Sequence, residues 1–257
     1  MHSLLAELPN TLLAKYRKLI VVGDLHGDYA SFRSILNIAN PAKDLVIFLG
    51  DYADRGISGT EVIEGVSRLF DGNRKNVLLL KGNHEDYTEN GEPKFSPWTL
   101  ISEIESRKEA WRYYFKTKLA PFLKGLCLAA IIPGNLLFVH GGVSNKINTL
   151  NDLRCPSENV EEDVLWSDPF EGVGEHPNYK RGGAGVEFGK DVSMKICKRL
   201  GVERIIRSHE PQKAVNGPIY SHGGKLATIS STRVYGGNPI VLSFSPSNLS
   251  QLNVIWL

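Results

Sequence analysis

Three short segments of the chain place side chains that bind metals or transfer protons beside glycines. Each segment follows an apolar run: Gly23-Asp24-Leu25-His26-Gly27, Gly50-Asp51-Tyr52-Ala53-Asp54-Arg55-Gly56 and Gly82-Asn83-His84-Glu85. Carboxylate and imidazole groups at this density suit divalent transition metals. Two adjacent metal ions can clamp the attacking and leaving oxygens of a displacement and activate water. The three segments therefore predict a two-metal site that hydrolyses phosphate esters.

Each side chain also has an ordinary interpretation when it is taken alone. Asp24 and His26 are two residues apart, so they point to the same side of an extended segment, but a capped turn with a surface histidine has the same pattern. Asp51 could bridge two cations with its two oxygens. Asp54 and Arg55 could be a surface charge pair, or Arg55 could hold phosphate oxygens, because guanidinium pairs with phosphate through two hydrogen bonds.

The positions of the histidines favour the chemical interpretation. Four of the seven histidines follow predicted strands, namely His26, His84, His140 and His209. A single histidine at a strand end is more often a hydrogen-bonded structural residue than a metal ligand. Four at such positions indicate a shared site.

The apolar pattern predicts the elements that position these segments. Buried strands are expected at 19–22, 45–49 and 77–80, alternating with helices at 28–40 and 58–69. This β-α-β-α-β order predicts a parallel sheet with right-handed crossovers. Ligands bind at the carboxyl ends of the strands in such sheets, and all three segments lie there.

The second half of the chain is richer in predicted strands. Helices are expected at 97–118 and 187–200, and strands at 136–139, 204–207, 226–230, 240–244 and 254–256. No linker or repeat divides the sequence. The expected fold is α/β (α+β), with two facing sheets and outer helices in a single domain, residues 1–257.

Composition limits the other function classes. The chain has 257 residues and a net charge of +2, which argues against a general nucleic-acid binder. The longest apolar run, 126–132, is far shorter than a membrane span. The three cysteines, Cys127, Cys155 and Cys197, form no disulfide or zinc pattern, and Cys127 is expected in the core. We therefore expect a cytoplasmic protein without nucleic-acid or membrane partners.

The ordered motifs closely resemble those of the phosphoprotein phosphatase family, the metal-dependent serine/threonine protein phosphatases. GDLHG, GDYADRG, KGNHE and HGG are followed by Trp166-Ser167-Asp168-Pro169, Arg181-Gly182-Gly183 and Arg207-Ser208-His209, all in family order. The resemblance implies a calcineurin-like metallophosphoesterase fold, a central two-sheet β-sandwich flanked by helices. The chain resembles a compact prokaryotic or archaeal member.

The resemblance also implies a role for each site residue. One metal ion would be held by Asp24, His26 and Asp51. The other would be held by Asp51, Asn83, His140 and His209, with Asp51 and a hydroxide bridging the two. Manganese is the expected metal, with iron and zinc as alternatives. His84 would protonate the leaving group, oriented by Asp54. The phosphoryl oxygens would be bound by Arg55, Arg181 and Asn83, with Tyr235 over the cleft.

The implied substrate is phosphoserine or phosphothreonine in a protein or peptide, and regulatory subunits are not predicted either way. A small-molecule phosphoesterase, such as a dinucleoside polyphosphate hydrolase, would use the same core chemistry and is the alternative. A non-catalytic phosphate-binding protein is a third hypothesis.

The segment 231–237 departs from the family pattern: Gly236 replaces a cysteine of eukaryotic members, and Arg233 is expected to add a cation at the cleft mouth.

Overall fold

Two mixed β-sheets face each other, and helices cover their outer surfaces. The computed structural model describes residues 3–257. The strands are β1 (Leu5–Glu7), β2 (Leu19–Val22), β3 (Leu45–Phe48), β4 (Val77–Leu79), β5 (Ala129–Ile132), β6 (Leu136–Val139), β7 (Asp168–Pro169), β8 (Glu175–Pro177), β9 (Val186–Phe188), β10 (Arg204–Arg207), β11 (Ile219–Ser221), β12 (Leu226–Thr228), β13 (Ile240–Ser245) and β14 (Asn248–Trp256). The α-helices are α1 (Asn10–Leu13), α2 (Tyr29–Ile38), α3 (Gly59–Gly72), α4 (Thr99–Ser106), α5 (Trp111–Tyr114), α6 (Ala120–Leu123), α7 (Asn151–Arg154), α8 (Glu158–Trp166) and α9 (Lys190–Leu200).

The first sheet has the strand order β14-β13-β2-β3-β4. Strands β2, β3 and β4 pair in parallel, as the sequence predicts, and α2 and α3 make the crossovers. Every residue of β2 and β3 is buried, which is typical of a parallel sheet that is covered on both faces. The last two strands of the chain complete this sheet, because β13 pairs antiparallel with β2.

The second sheet has the order β1-β5-β6-β10-β12-β11. Its central strands β6, β10 and β12 are parallel, so β6 and β10 end at the same edge. A third, small sheet (β7-β9-β8) was not predicted, and the segment between β8 and β9 carries Arg181.

Alternate residues of each strand separate the sandwich interior from the helix-covered face. Val21 and Ile47 of the first sheet join Phe138 and Ile206 of the second in one fully buried cluster. The intervening residues of β2 and β3 pack instead with the apolar faces of α2 and α3. Burial of each such side chain contributes about 1.5–3 kcal/mol relative to exposure. The predicted two-sheet sandwich is therefore confirmed.

Several predicted boundaries are wrong for identifiable reasons. The helix expected at 97–118 is interrupted after α4, where Lys108 has a positive φ of 61°, and a π-helical turn (Phe115–Leu119) follows α5. The helix expected from residue 187 starts at Lys190, because Val186–Phe188 pairs as β9 with both neighbours of its small sheet.

Cys127, which was expected in the core, is only partly buried. Within residues 3–257, none of the helices combines the length and apolar character needed to cross a bilayer.

Candidate metal centre

The carboxyl ends of strands from both large sheets converge on one buried group of polar side chains. In the first sheet, β2 leads to Asp24 and His26, β3 leads to Asp51, and β4 leads to a short 3-10 helix, Asn83–Glu85. In the second sheet, β6 leads to His140 and β10 leads to His209. All six predicted metal ligands are at most 4% exposed: Asp24, His26, Asp51, Asn83, His140 and His209.

The backbone at these strand ends is strained. Positive φ angles occur at His26 (45°), Asp51 (56°), Asp54 (66°), Arg55 (68°) and His209 (71°). Residues with a Cβ rarely adopt this region, and where they do they cluster at functional sites. The strain indicates that the turns are shaped to aim these side chains inward.

One glycine of the third segment is required by the close approach of two loops. A Cβ on Gly82 would collide with the carboxylate of Asp51 and lie 2.8 Å from Glu85 Oε2. Only glycine therefore lets the loop after β4 pack against the loop after β3.

Candidate donor atoms form two groups that share Asp51. His26, Asp51 and His84 offer donor atoms within 4.8 Å of one another, and so do Asp51, His140 and His209. Asp51 Oδ2 lies 3.4 Å from His26 Nε2, and its Oδ1 lies 3.4 Å from His140 Nε2. The two oxygens of one carboxylate thus face different histidines, an arrangement that suits a carboxylate shared by two cations.

Backbone carbonyls set the tautomers of two histidines. The Nδ1 atom of His26 lies 3.1 Å from Ala53 O, and that of His140 lies 3.0 Å from Leu49 O. Each Nδ1 must carry the proton to donate to a carbonyl, so each Nε2 presents a lone pair to the cluster. Asn83 Oδ1 lies 3.0 Å from the same His140 Nε2 and adds an oxygen donor to the second group.

Asp24 is placed differently from the other predicted ligands. It belongs to neither donor group, and its Oδ1 accepts hydrogen bonds from the Ser208 hydroxyl and the His209 amide. Its Oδ2 is buried without a hydrogen-bond partner, as is His209 Nε2. Buried polar atoms are rarely left unpaired, so Asp24 Oδ2 is open for a ligand. His209 faces the second donor group with its other nitrogen, Nδ1, which lies 3.1 Å from His140 Nε2.

The electrostatics of the cluster fit bound cations. Burial raises the pKa of Asp24 to about 6 and raises the pKa of Asp51 well above its ordinary range, where neighbouring carboxylates add to the effect. Burial also lowers the pKa of His26, His140 and His209 well below the usual value, which keeps these imidazoles neutral. Neutral imidazoles are the form that binds metal, and cations would supply the charge that stabilises the buried carboxylates. The residues fit divalent metal ions.

His84 and Asp54 form a pair beside the cluster. His84 Nδ1 lies 3.0 Å from Asp54 Oδ2, while Asp54 Oδ1 accepts a hydrogen bond of 2.8 Å from the Leu100 amide. Burial lowers the pKa of His84, and the hydrogen bond and charge of Asp54 oppose that effect. A phosphate anion beside the imidazole would act with Asp54 to raise the pKa of His84 and so favour the protonated form that an acid requires.

A cleft of about 1050 Å³ opens above the cluster, and Arg55, Arg181 and Tyr235 line it together with Asn83 and His84. The Arg55 side chain is exposed, and its Nη2 donates to Ser96 O at 3.2 Å. Arg181 is held by Asp168, with Nε 2.8 Å from Oδ2. The Tyr235 ring lies 5.9 Å from the ring of His26, so it borders the first donor group.

Arg233 is not a cleft residue. Its guanidinium donates to the Ser31 hydroxyl at 2.7 Å and to Leu257 O at 2.8 Å, and its amide donates to Asp28. It therefore ties the 231–237 segment to the start of α2, and the expectation that it adds a cation at the cleft mouth is wrong.

A model of the calcineurin-like phosphoesterase family matches residues 17–213. The chain belongs to this family. A serine/threonine-protein phosphatase of Caenorhabditis elegans is 32% identical over 223 residues, which cover 84% of this chain and 47% of the relative. The serine/threonine-protein phosphatase PP2A-like PPG1 of Candida albicans is 31% identical over 261 residues, 96% of this chain and 61% of the relative. The chain thus spans about half the length of the curated relatives it matches.

Structural similarity supports the same fold. A serine/threonine phosphatase of Saccharomyces cerevisiae with similarity to human PP5 superposes with a TM-score of 0.81 at 24% identity, covering 100% of this chain and 84% of that chain. The predicted calcineurin-like metallophosphoesterase fold is confirmed. Membership of this metallophosphoesterase family, together with the buried His/Asp cluster, indicates divalent metal ions.

The sequence interpretation assigned no role to several residues that order this calcineurin-like site. Arg207 is fully buried and donates to Asp168 and Glu210, so Asp168 is held between Arg207 and Arg181. Glu85 Oε2 accepts from the amides of Asp51 (2.8 Å) and Gly82 (2.9 Å), and its Oε1 accepts from Tyr52. These residues stand inside the quoted motifs, but each also binds a partner distant in sequence: Arg207 binds Asp168, and Glu85 binds the amides of Asp51 and Tyr52.

We expect Glu85→Gln to lower the free energy of unfolding by about 1–3 kcal/mol, because one of the two accepting oxygens becomes an amide that cannot accept. Urea unfolding of the metal-free protein measures this change. Glu89→Gln, an exposed change a few residues away, is the matched control. Equal stability of the two variants would show that Glu85 does not hold the two loops together.

Proposed function

We propose that the chain hydrolyses phosphoserine and phosphothreonine esters in proteins, and that residues 1–257 act as a single catalytic domain. The observation that carries the proposal is the His84–Asp54 hydrogen bond at the edge of two donor groups that share Asp51, with His84 itself in the first group. The curated relatives, which are named serine/threonine-protein phosphatases, support the same substrate class.

Two divalent metal ions are the proposed cofactors, with manganese as the expected metal. Asp24, His26 and Asp51 would hold one ion, and the other would be held by Asp51, Asn83, His140 and His209. When bound, such ions lower the pKa of water and stabilise the charge that develops on the phosphoryl oxygens. The unpaired Asp24 Oδ2 supports the inclusion of Asp24, and the position of His209 Nδ1, 3.1 Å from His140 Nε2, supports the inclusion of His209.

The side chains of the cleft would bind the substrate and move one proton. Arg55 and Arg181, together with Asn83, are positioned to hold the phosphoryl oxygens, and Tyr235 would cover them from above. As an oxygen from water bonds to phosphorus, the bond from phosphorus to the leaving oxygen breaks, and its electron pair passes to the leaving oxygen, which takes the proton of His84 Nε2. Asp54 would orient the imidazole through Nδ1 and stabilise its charged form.

We expect Arg55→Ala to raise KM for a phosphopeptide about 10- to 100-fold, because a charge-assisted contact with the phosphate is lost. Arg55 has no carboxylate partner among residues 3–257, so its removal leaves no buried anion unpaired. Steady-state kinetics measures the change. Arg68→Ala removes an exposed arginine of α3 outside the cleft and should leave KM unchanged; equal effects of the two variants would contradict the role of Arg55.

The proposal is tested by phosphate release from a phosphothreonine peptide and from a dinucleoside tetraphosphate, measured side by side after chelation and manganese add-back. We expect activity to disappear on chelation, to return with manganese, and to favour the peptide in kcat/KM. A preference for the nucleotide would indicate small-molecule turnover by the same centre. No turnover of either ester by the metal-loaded protein would favour a phosphate-binding protein.

Three further expectations stay predictions from the sequence. They are a cytoplasmic location, the lack of nucleic-acid and membrane partners, and the single-domain organisation. They rest on the charge, the cysteine pattern, the short longest apolar run (126–132) and the lack of a linker in the sequence. The cleft geometry does not bear on them.

A further inference from the structure

One segment contacts the proposed acid His84, its partner Asp54 and the exposed arginine of the cleft, Arg55. It comprises residues 86–100, between the 3-10 helix that carries His84 and the start of α4. The Phe95 ring centre lies 4.5 Å from that of His84. Ser96 O accepts from the Arg55 guanidinium, and the Leu100 amide donates to Asp54. The 86–100 segment therefore touches the proposed acid, its orienting carboxylate and the exposed arginine together.

Phe95 is itself firmly held. It is 5% exposed, and the Tyr87 ring meets it edge-on at 5.1 Å with an interplanar angle of 88°. Tyr87 forms a β-bridge with Pro93, and the Lys94 amide donates to Asp86 O at 2.9 Å. Tyr87 in turn packs against Trp111 and Phe115, at 5.8 and 5.7 Å. This aromatic cluster anchors Phe95 from behind.

The hydrogen bond to Asp54 alone fixes only one atom of the His84 ring. A ring held at Nδ1 can still tilt about that bond and displace Nε2, the atom that must reach the leaving oxygen. The Phe95 ring, inclined at 48° to the imidazole, and the His26 ring, 5.0 Å away at 87°, limit that tilt by van der Waals contact. Displacement of a reacting atom by about 1 Å can cost about 100-fold in rate.

We propose that Phe95 is a positioning residue that holds the His84 imidazole with Nε2 directed into the cleft. The inference rests on the proposed function, since it concerns the proton that His84 delivers. Phe95 acts through His84 and contributes no polar atom to the reaction. Its loss should therefore matter most for esters whose leaving oxygen needs a proton.

The test compares two substrates. We expect Phe95→Ala to lower kcat about 10- to 100-fold for a phosphothreonine peptide, with KM little changed. The loss for p-nitrophenyl phosphate, whose leaving group is stable as an anion, should be less than about threefold. Phe95→Leu keeps an apolar side chain against the imidazole and should restore most of the peptide activity. If Phe95→Ala fails to fold, Phe95→Leu is used instead. We then expect a smaller fall in kcat, again larger for the peptide than for p-nitrophenyl phosphate.

Phe115→Ala is the matched control. Phe115 is a buried member of the same cluster and packs on Tyr87 and Trp111, one ring further from the acid. General loosening of the cluster by this variant should lower turnover of both substrates equally. An equal loss on both substrates in Phe95→Ala, matching Phe115→Ala, would overturn the proposal.

A second readout does not depend on turnover. In zinc-loaded protein with isotope-labelled histidine, the Nδ1 proton of His84 should give a slowly exchanging NMR signal, assigned by its loss in His84→Asn. We expect Phe95→Ala to broaden or shift this signal and Phe115→Ala to leave it in place. An unchanged signal in Phe95→Ala would overturn the positioning role. If the wild-type enzyme preferred nucleotides, the proposed substrate would be wrong, while this signal would still decide the role of Phe95.

Discussion

Asp51→Asn is expected to lose metal from both donor groups and to lower kcat by about 1000-fold or more, because the stabilisation that two cations give the transition state is lost. Asp51 is the residue that the two groups share, and its two oxygens face His26 and His140 separately. Asparagine offers one neutral oxygen in the same volume. It also tolerates the positive φ of 56° at this position, so the change tests ligation rather than backbone strain.

Metal content by elemental analysis, kcat, and the shift in Tm on metal addition measure the effect. Metal that binds the folded state raises the Tm of the wild type, and this shift should shrink in the variant. Asp44→Asn is the matched control, because it removes a fully buried carboxylate that is paired with Arg17 away from the cleft. The control should lower stability and keep the metal. Full metal content and near-normal kcat in Asp51→Asn would disprove the shared-ligand assignment.

Strand ends were the part of the site that the sequence could reveal. The apolar runs before Asp24, Asp51 and Asn83 identify three strands, and the carboxyl ends of parallel strands must meet at one edge. The same reasoning placed His140 and His209 at the ends of β6 and β10. Local patterns sufficed here because each side chain follows its strand by at most four residues.

Long-range pairing was the part that the sequence could not reveal. Nothing in the run 240–244 indicates that it pairs with β2, more than 200 residues earlier in the chain. Glu85 gives no local sign that its carboxylate binds the amides of Asp51 and Tyr52, 34 and 33 residues away. Arg233 was misplaced for the same reason, since its partners come from α2 and the last residue. The sequence shows that a side chain is charged, whereas tertiary contacts decide which partners it binds and whether it faces the cleft.

The centre depends on both sheets at once. His26 and Asp51 come from the first sheet, while His140 and His209 come from the second, and β2 and β10 are tied where the Ser208 hydroxyl binds Asp24. Neither sheet alone brings the second donor group together. Metal binding is thus coupled to closure of the sandwich, which is why the Tm shift reports on ligation in the Asp51 experiment.

His84→Asn is expected to keep both metals and to lower kcat for a phosphothreonine peptide by about 100- to 10,000-fold, the range typical of losing a general acid. Hydrolysis of p-nitrophenyl phosphate should be much less affected, because its leaving group departs without a proton. Asp54→Asn should show the same selectivity with a smaller loss, since the imidazole remains but loses its charged partner.

The metal content of His84→Asn separates the two roles that the geometry offers this residue. His84 shares a donor group with His26 and Asp51, a position from which an imidazole could bind a metal. His84 Nδ1 is bound to Asp54, so we assign the acid role to His84. Asp24 Oδ2 is buried without a hydrogen-bond partner, so we assign the ligand role to Asp24. Loss of metal with equal slowing of both esters would reverse that assignment. Retained metal with selective slowing of the peptide would establish His84 as the proton donor.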